Sequence, residues 1–254
     1  MSINKKCNFS FQHYGEILKL AKKQGYKFCF FSKLPDKRIK RFYMRHDVDL
    51  CLEKALRLAQ IERQNKVVST FFVRLNAPFF NIFDSTHYKL IKEILKLGHQ
   101  IRIHLDVNSQ KLTQKSIEEE IIRQFRVFEN YFNFSVEKVV SFHRPPRFVL
   151  NKDFNSDIFI SVYSPQFFSK IKYLSDSRGK WKEGCVCKLL ESPHPPLNLH
   201  VLTHPIWWER KYRDSNKNLA GYLKEKVEYL DESLAQDSSV YQKGSLYKVV
   251  KKNR

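Results

Sequence analysis

Acidic residues are scarce in this chain: 26 Asp and Glu stand against 46 Lys and Arg, a formal net charge of +20. A balance that positive fits an anionic partner, whether nucleic acid, a membrane surface or a charged substrate. The lysines run along the whole length, which is also what a lysine-rich proteome produces. Glycine is rarer still, at seven, and with nine prolines in 254 residues this excludes collagen-like and low-complexity architectures. The five cysteines are odd in number and scattered, so they do not form a disulfide framework. No uncharged stretch approaches the ~20 residues of a membrane-spanning helix. The opening Met1-Ser-Ile-Asn-Lys-Lys lacks the apolar core of a secretory signal, and the cytoplasm is the expected location. What the chain does have is hydrophobic content of 42% and aromatics at 14%, enough to bury a core.

No internal repeat or Pro/Gly/Ser-rich linker divides the sequence, so a single domain over 1–254 is expected. Within it, 1–35 reads as a helical lead-in and 240–254 as a basic tail. Runs of strand length alternate with helical patterns. Phe42-Tyr-Met leads into Arg45-His-Asp-Val-Asp49, and Leu52, Ala55, Leu56 and Ala59 then recur at helical spacing. Val67–Val73 is β-branched and aromatic, hence a strand. Tyr88, Ile91, Ile94 and Leu95 mark a helix that stops at Gly98, and Ile101, Ile103 and Leu105 alternate as a strand. A helical stripe follows at Ile117, Ile121, Phe125, Phe128 and Phe132. Further strands are expected at 138–142, 158–162, 170–174 and 197–203, with a last helix carried by Leu219, Leu223, Val227, Leu230 and Leu234. This alternation predicts βαβ units and a parallel sheet, and about seven strands in one domain favour a barrel.

Nearly every strand ends in residues able to bind a metal or move a proton. They are Asp47 and Asp49, then His104 and Asp106 with Asn108 beyond, His143 and Arg144, Asp176, and His204. In a parallel β/α barrel the strand ends and following loops converge on one face, where active sites sit. Asp47 and Asp49, two apart, share a face while the strand persists and would repel each other. A divalent cation on one of them offsets that repulsion and leaves the other free to act as a base.

The motifs Arg45-His-Asp-Val-Asp49, Gly98-His-Gln-Ile-Arg-Ile-His104, Arg144-Pro-Pro-Arg147 and Leu202-Thr-His-Pro205 follow one another as those of the polysaccharide deacetylases do. The chain thus resembles carbohydrate esterase family 4 over about residues 10–210. Tyr14, Gly25-Tyr26, Ser175-Asp-Ser-Arg-Gly-Lys-Trp181 and Thr203-His-Pro-Ile-Trp-Trp208 look like a branch linked to surface-polysaccharide synthesis. The resemblance implies an α/β fold, a distorted (β/α)7 barrel. It implies that Asp47 is the base that takes a proton from the attacking water, and that Arg144 holds it. Asp49 and His104 match metal ligands, and the backbone N–H of Arg147 matches an oxyanion donor. His204 matches the general acid, and Asp176 the residue that orients it. The implied reaction is removal of an N-acetyl group from an acetamido sugar, nucleotide- or lipid-linked, with a divalent metal. Zinc comes first, with cobalt, manganese or nickel as alternatives.

That assignment suits the chemistry. Amide hydrolysis near neutral pH needs an activated water and a protonated leaving nitrogen, and histidine titrates in the range that serves the second need.

The sequence departs from the family at one ligand. The family's second metal-binding histidine falls on Asn108, whose carbonyl oxygen is a weak donor. Asn108 itself, Asp106 and His143 remain open as the third ligand, the latter two being stronger. A metal-free, non-catalytic carbohydrate-binding protein is the alternative. Arg147 also replaces the family's aromatic residue. Trp207 and Trp208 either stack on a sugar ring or close the barrel rim, and Asn81, in a loop over the barrel, is placed to reach substrate. His99 reads as structural, His200 as facing the opposite side of its strand from Leu199 and Val201, and Cys185 and Cys187 as two ordinary thiols. No nucleic-acid-reading motif accompanies the charge, so no nucleic acid is expected; peripheral contact with an anionic membrane is.

Overall fold

The structure, a computed structural model, describes residues 7–107, 113–133, 137–150, 154 and 156–245. In chain order its first half holds α1 (Phe11–Lys23), β1 (Lys27–Phe28), β2 (Arg41–Val48), α2 (Leu52–Gln64), β3 (Thr70–Val73), α3 (Ser85–Lys96), β4 (Gln100–Asp106) and α4 (Gln114–Phe132). The second half holds β5 (Val139–His143), α5 (Arg147–Leu150), β6 (Ile160–Ser161), α6 (Pro165–Phe168), β7 (Lys172–Ser175), α7 (Val186–Leu190), β8 (Asn198–Thr203) and α8 (Ser215–Asp237).

All the strands belong to one parallel sheet, ordered β6-β5-β4-β3-β2-β8-β7 with β1 alongside β2. The sheet is curled. Arg45 of β2 hydrogen-bonds Ser141 of β5 although β3 and β4 lie between them, a span of about 14 Å in a flat sheet. Among the described residues no pairing joins β6 to β7. The fold is therefore α/β, a distorted (β/α)7 barrel with one open seam.

The strands form where β-branched and aromatic residues cluster, and their boundaries move by a few residues from those expected. The run at 158–162 pairs only over Ile160–Ser161, because β6 is an edge with a single neighbour. β1, two residues long, is too short to show a period. The helices begin and end on side-chain chemistry. Ser10 accepts from the His13 N–H at 3.1 Å to start α1, and Asp84 caps α3 on Thr86 and His87. Thr113 and Ser116 cap α4 reciprocally, and Asn133, left-handed at φ 53°, ends it.

β2 is buried along its whole length, so both of its faces are covered. Phe42 and Met44 pack outward on Tyr14, Ile17, Leu18 and Ala21 of α1 and on Val186 and Leu190 of α7. Tyr43 faces the interior, against Phe31 and Phe167.

The chain divides into two compact units, residues 1–212 and 213–254. The second is built on α8, capped by Asp214 on the Lys217 N–H at 2.9 Å. Asp231 accepts from Tyr241 Oη at 2.5 Å and Gly244 N at 2.9 Å, which folds residues 238–245 back on the helix. The strands and the site described next lie in the first unit.

Candidate functional site

Strand register assembles the site. β4 and β5 pair His104 with Ser141 and Asp106 with His143. β2 and β8 pair His46 with Thr203, which sets His204 beside the end of β2. The C-terminal ends of β2, β4, β5, β7 and β8 thus bring together Asp47, Asp49, His104, Asp106, His143, Asp176 and His204.

Asp47 is 3% exposed and held by Arg45 on the same strand face. Arg45 Nε and Nη2 donate to its two oxygens at 2.8 and 2.7 Å, and Nη2 also reaches Ser141 and, at 2.8 Å, Tyr163 Oη. Burial alone would raise the Asp47 carboxyl. The Arg45 charge outweighs it, helped by His104, and holds the group well below the usual carboxylate range. The guanidinium on Asp47 is therefore Arg45's, not Arg144's. Arg144 is exposed with a left-handed φ of 58°, and Arg147 is exposed at the start of α5. Among the described residues, no polar contact ties either of them to this cluster.

Asp49 sits above Asp47 with its side chain 21% exposed. Its Oδ1 atom is buried and receives no well-directed hydrogen bond. His104 Nε2 lies 3.2 Å from that oxygen and His143 Nε2 3.9 Å. His104 is anchored through its other nitrogen, Nδ1 on Ser141 Oγ at 2.8 Å, whereas His143 Nδ1 lies 3.5 Å from Asp106 Oδ1 without a well-directed hydrogen bond. A buried carboxylate oxygen without a donor, faced by two imidazoles of which His104 is held from behind by Ser141, fits a divalent cation. Asp49, His104 and His143 would hold it. Asp106 is ion-paired with Arg74 and lies beside His143, which leaves it less available to a cation than His143. Asn108 lies outside the described residues.

On the opposite side His204 Nδ1 bonds Asp176 Oδ1 at 2.6 Å, and the His204 N–H donates to both Asp176 oxygens. Asp176 is fully buried and takes a third donor, the Trp208 indole, at 3.1 Å. Burial would lower the His204 pKa, but the hydrogen bond and charge of Asp176, with Asp47 and Asp49, raise it to about 9. His204 Nε2 looks toward Asp49 Oδ2 at 3.9 Å.

The aromatic and loop expectations fare differently. Trp208 is fully buried against Phe9 and Tyr14 and fixes Asp176, so it closes the rim and presents no face to a sugar. Trp207 is half-buried on the same apolar cluster. Asn81 is exposed and holds its own turn, accepting from the Phe83 N–H at 3.0 Å. Four contributors were not anticipated: Arg45, Ser141, Tyr163 and Arg74. Arg45 was findable, since it lies two residues from Asp47 on one strand and must share its face. Ser141 and Arg74 depend on which strands are neighbours.

No protein-family model and no curated protein matches the chain. Among solved structures it is similar to a carbohydrate esterase family 4 pseudoenzyme from Bacillus anthracis, at 16% identity and TM-score 0.44, over 76% of this chain and 63% of that one. A family 4 carbohydrate esterase from the same organism aligns at 17% identity and TM-score 0.42, over 90% and 89%. The chitin deacetylase of the fungal pathogen Colletotrichum lindemuthianum aligns at 16% and TM-score 0.42, over 73% and 81%. The chain thus spans under two thirds of the first of these.

Proposed function

We propose that the chain is a metal-dependent hydrolase that removes the acetyl group from an acetamido sugar, a nucleotide- or lipid-linked precursor of a surface polysaccharide. The observation that carries this reading is a matched pair at one rim. Asp47 is held as a carboxylate and His204 as an imidazolium, either side of Asp49. Environments that push two titratable groups in opposite directions mark a base and an acid.

When bound at Asp49, His104 and His143, a divalent cation supplies Lewis acidity, making water more acidic and polarising the amide carbonyl. Asp47 takes the proton from the attacking water. Arg45 keeps its carboxylate ionised and fixes its direction. His204 gives its Nε2 proton to the departing nitrogen, and Asp176 stabilises the imidazolium until then. Water and the acetamide yield acetate and the sugar amine, and the base and acid exchange protons with solvent to reset.

A second reading has its own support. Both Asp47 oxygens are already engaged by Arg45, which lowers their proton affinity and suits a binding protein on this frame as well as a catalyst. Acetate release from acetamido sugars, measured with the chain loaded with zinc, cobalt, manganese or nickel, separates the two. Release that Asp49→Ala abolishes supports the hydrolase. Sugar binding that survives Asp47→Asn, with no acetate from the wild type, overturns it.

The fold has no helix, among the described residues, long and apolar enough to cross a membrane. Any attraction of the basic surface to anionic carriers would weaken with salt. Substrate binding that ignores ionic strength would remove that part of the proposal.

A further inference from the structure

Three of the five cysteines converge, Cys7 from the start of the chain and Cys185 and Cys187 from nearly 180 residues later, and share no residue with the site above. Cys7 precedes α1, His13 lies in its first turn, and Cys185 and Cys187 sit at the start of α7. Cys7 Sγ is 3.2 Å from Cys187 Sγ, and His13 Nε2 is 3.2 Å from Cys185 Sγ. All four donor atoms lie within 4.8 Å of one another, the only such set of His, Cys, Asp and Glu among the described residues. Two ordinary thiols, the reading that Cys185-Val-Cys187 invites by itself, does not describe this arrangement.

We infer that these four side chains form a structural zinc site of the Cys3His type. Zinc–ligand lengths of about 2.0–2.3 Å put the corners of a tetrahedron roughly 3.3–3.8 Å apart, close to the spacing found here. The donor set is soft and suits zinc over magnesium or calcium. His13 is prepared for the role: its Nδ1 lies 3.4 Å from Glu16 Oε2, which leaves Nε2 for the cluster, and a carboxylate behind the imidazole is the usual partner of a zinc-bound histidine. Cys185 occupies the N-cap of α7 yet caps no backbone N–H; its sulfur turns to His13 instead.

The backbone supplies the halves separately. The Phe11 N–H donates to Glu209 at 2.8 Å and the Glu209 N–H to Phe9 at 2.9 Å, fixing the entry to α1, while the Ser10 cap sets the first turn that carries His13. Gly184, at φ 88°, turns the chain into α7. A metal bridging them would staple α1 to α7 and bury the four polar atoms as ligands.

The site is independent of the hydrolase reading, and its test keeps the two apart. The Asp49→Ala chain, reduced and stripped with a chelator, is titrated with cobalt(II) and then zinc. Only sulfur ligands give a thiolate-to-cobalt charge-transfer absorption. The expected result is one equivalent with that absorption, displaced by zinc and lost in Cys187→Ser and Cys185→Ser. Because those variants could misfold, the intact chain is also alkylated with and without zinc. Cys7, Cys185 and Cys187 should slow by roughly tenfold or more with zinc while Cys29 and Cys51 do not change. No charge-transfer absorption with zinc-insensitive alkylation would overturn the site. A Cys7–Cys187 disulfide in protein trapped by alkylation at lysis would overturn it too.

Discussion

His46 and Asp47 are neighbours in the chain, and each anchors a charged network on its own face of β2. On the helix side, His46 Nε2 meets Glu62 Oε1 at 2.9 Å, Tyr14 donates to the same oxygen at 2.6 Å, and Ser69 donates to Oε2 at 2.6 Å. His99 reaches Ser69 at 3.0 Å and the Ala59 carbonyl at 3.0 Å, and Thr203 takes the other nitrogen of His46. Every member is buried and every Glu62 oxygen is satisfied. On the barrel side the network starts the same way, with Arg45 on Asp47, but it ends open. Asp49 keeps an oxygen without a donor, and His143 and His204 stand partly in solvent. One strand thus carries a closed network, which contributes stability and shape, and an unfinished one, which retains the capacity to bind. Incompleteness at a rim is the mark of a site.

The strongest way to break this comparison is to remove a member of the open network. Asp49→Ala should abolish metal binding at the rim and lower deacetylation by about a thousandfold or more, the several kcal/mol that a Lewis acid supplies. Stability should change by less than about 1 kcal/mol, because the alanine also relieves repulsion with Asp47. Elemental analysis, acetate assay and chemical denaturation on one preparation read all three. The same operation on the closed side should invert the result. Glu62→Ala strands His46, Tyr14 and Ser69 in the interior and should cost about 3–5 kcal/mol, while turnover per folded molecule changes little.

This division explains what could be read from residues alone. The alternation of runs located β2, β4, β5 and β8, and the polar residues after each strand marked the site-bearing end. The third ligand could not be chosen that way. Asp106 and His143 are equally good donors on paper, and what favours His143 in the proposed site is the ion pair of Asp106 with Arg74, brought beside β4 by the pairing of β3 with β4. Arg144 drew the role of Asp47's partner by motif, whereas the strand period already put Arg45 on Asp47's face. The cysteine cluster joins chain segments so far apart that no local spacing could announce it. Trp208 illustrates the limit from the other direction: a residue in a motif beside the acid serves Asp176 from within the core.

Asp176→Asn probes how far the open network sets protonation. The His204 pKa of about 9 should fall toward the ordinary histidine value of about 6.5, and the basic limb of kcat/KM should move down with it. Stability should follow a defined sign. Because His204 binds its proton more tightly folded than unfolded, that contribution is full below about pH 6.5 and fades as pH rises through about 9. The wild type should therefore lose stability relative to Asp176→Asn across that window, on the order of 3 kcal/mol at most. Denaturation at pH 6 and pH 9.5 with both proteins checks it, and parallel curves would refute the assignment.

The smallest effect is the sharpest test of the contrast. Trp208→Phe and Tyr14→Phe each delete one donor from a buried carboxylate, Asp176 in the first case and Glu62 in the second. Each should cost about 1–3 kcal/mol, the loss expected for a hydrogen bond to a charged group. Their effects on pH dependence should differ. Without the indole N–H, Asp176 leans more on His204, so the imidazolium is held more tightly and the basic limb of kcat/KM should rise by a few tenths of a unit. That is opposite in sign to Asp176→Asn. Among the described residues Glu62 makes no hydrogen bond to His204 or Asp176, so Tyr14→Phe should leave the limb in place. Equal movement in both variants would mean that the two faces of β2 are one electrostatic unit, and that the division between a closed and an open network is wrong.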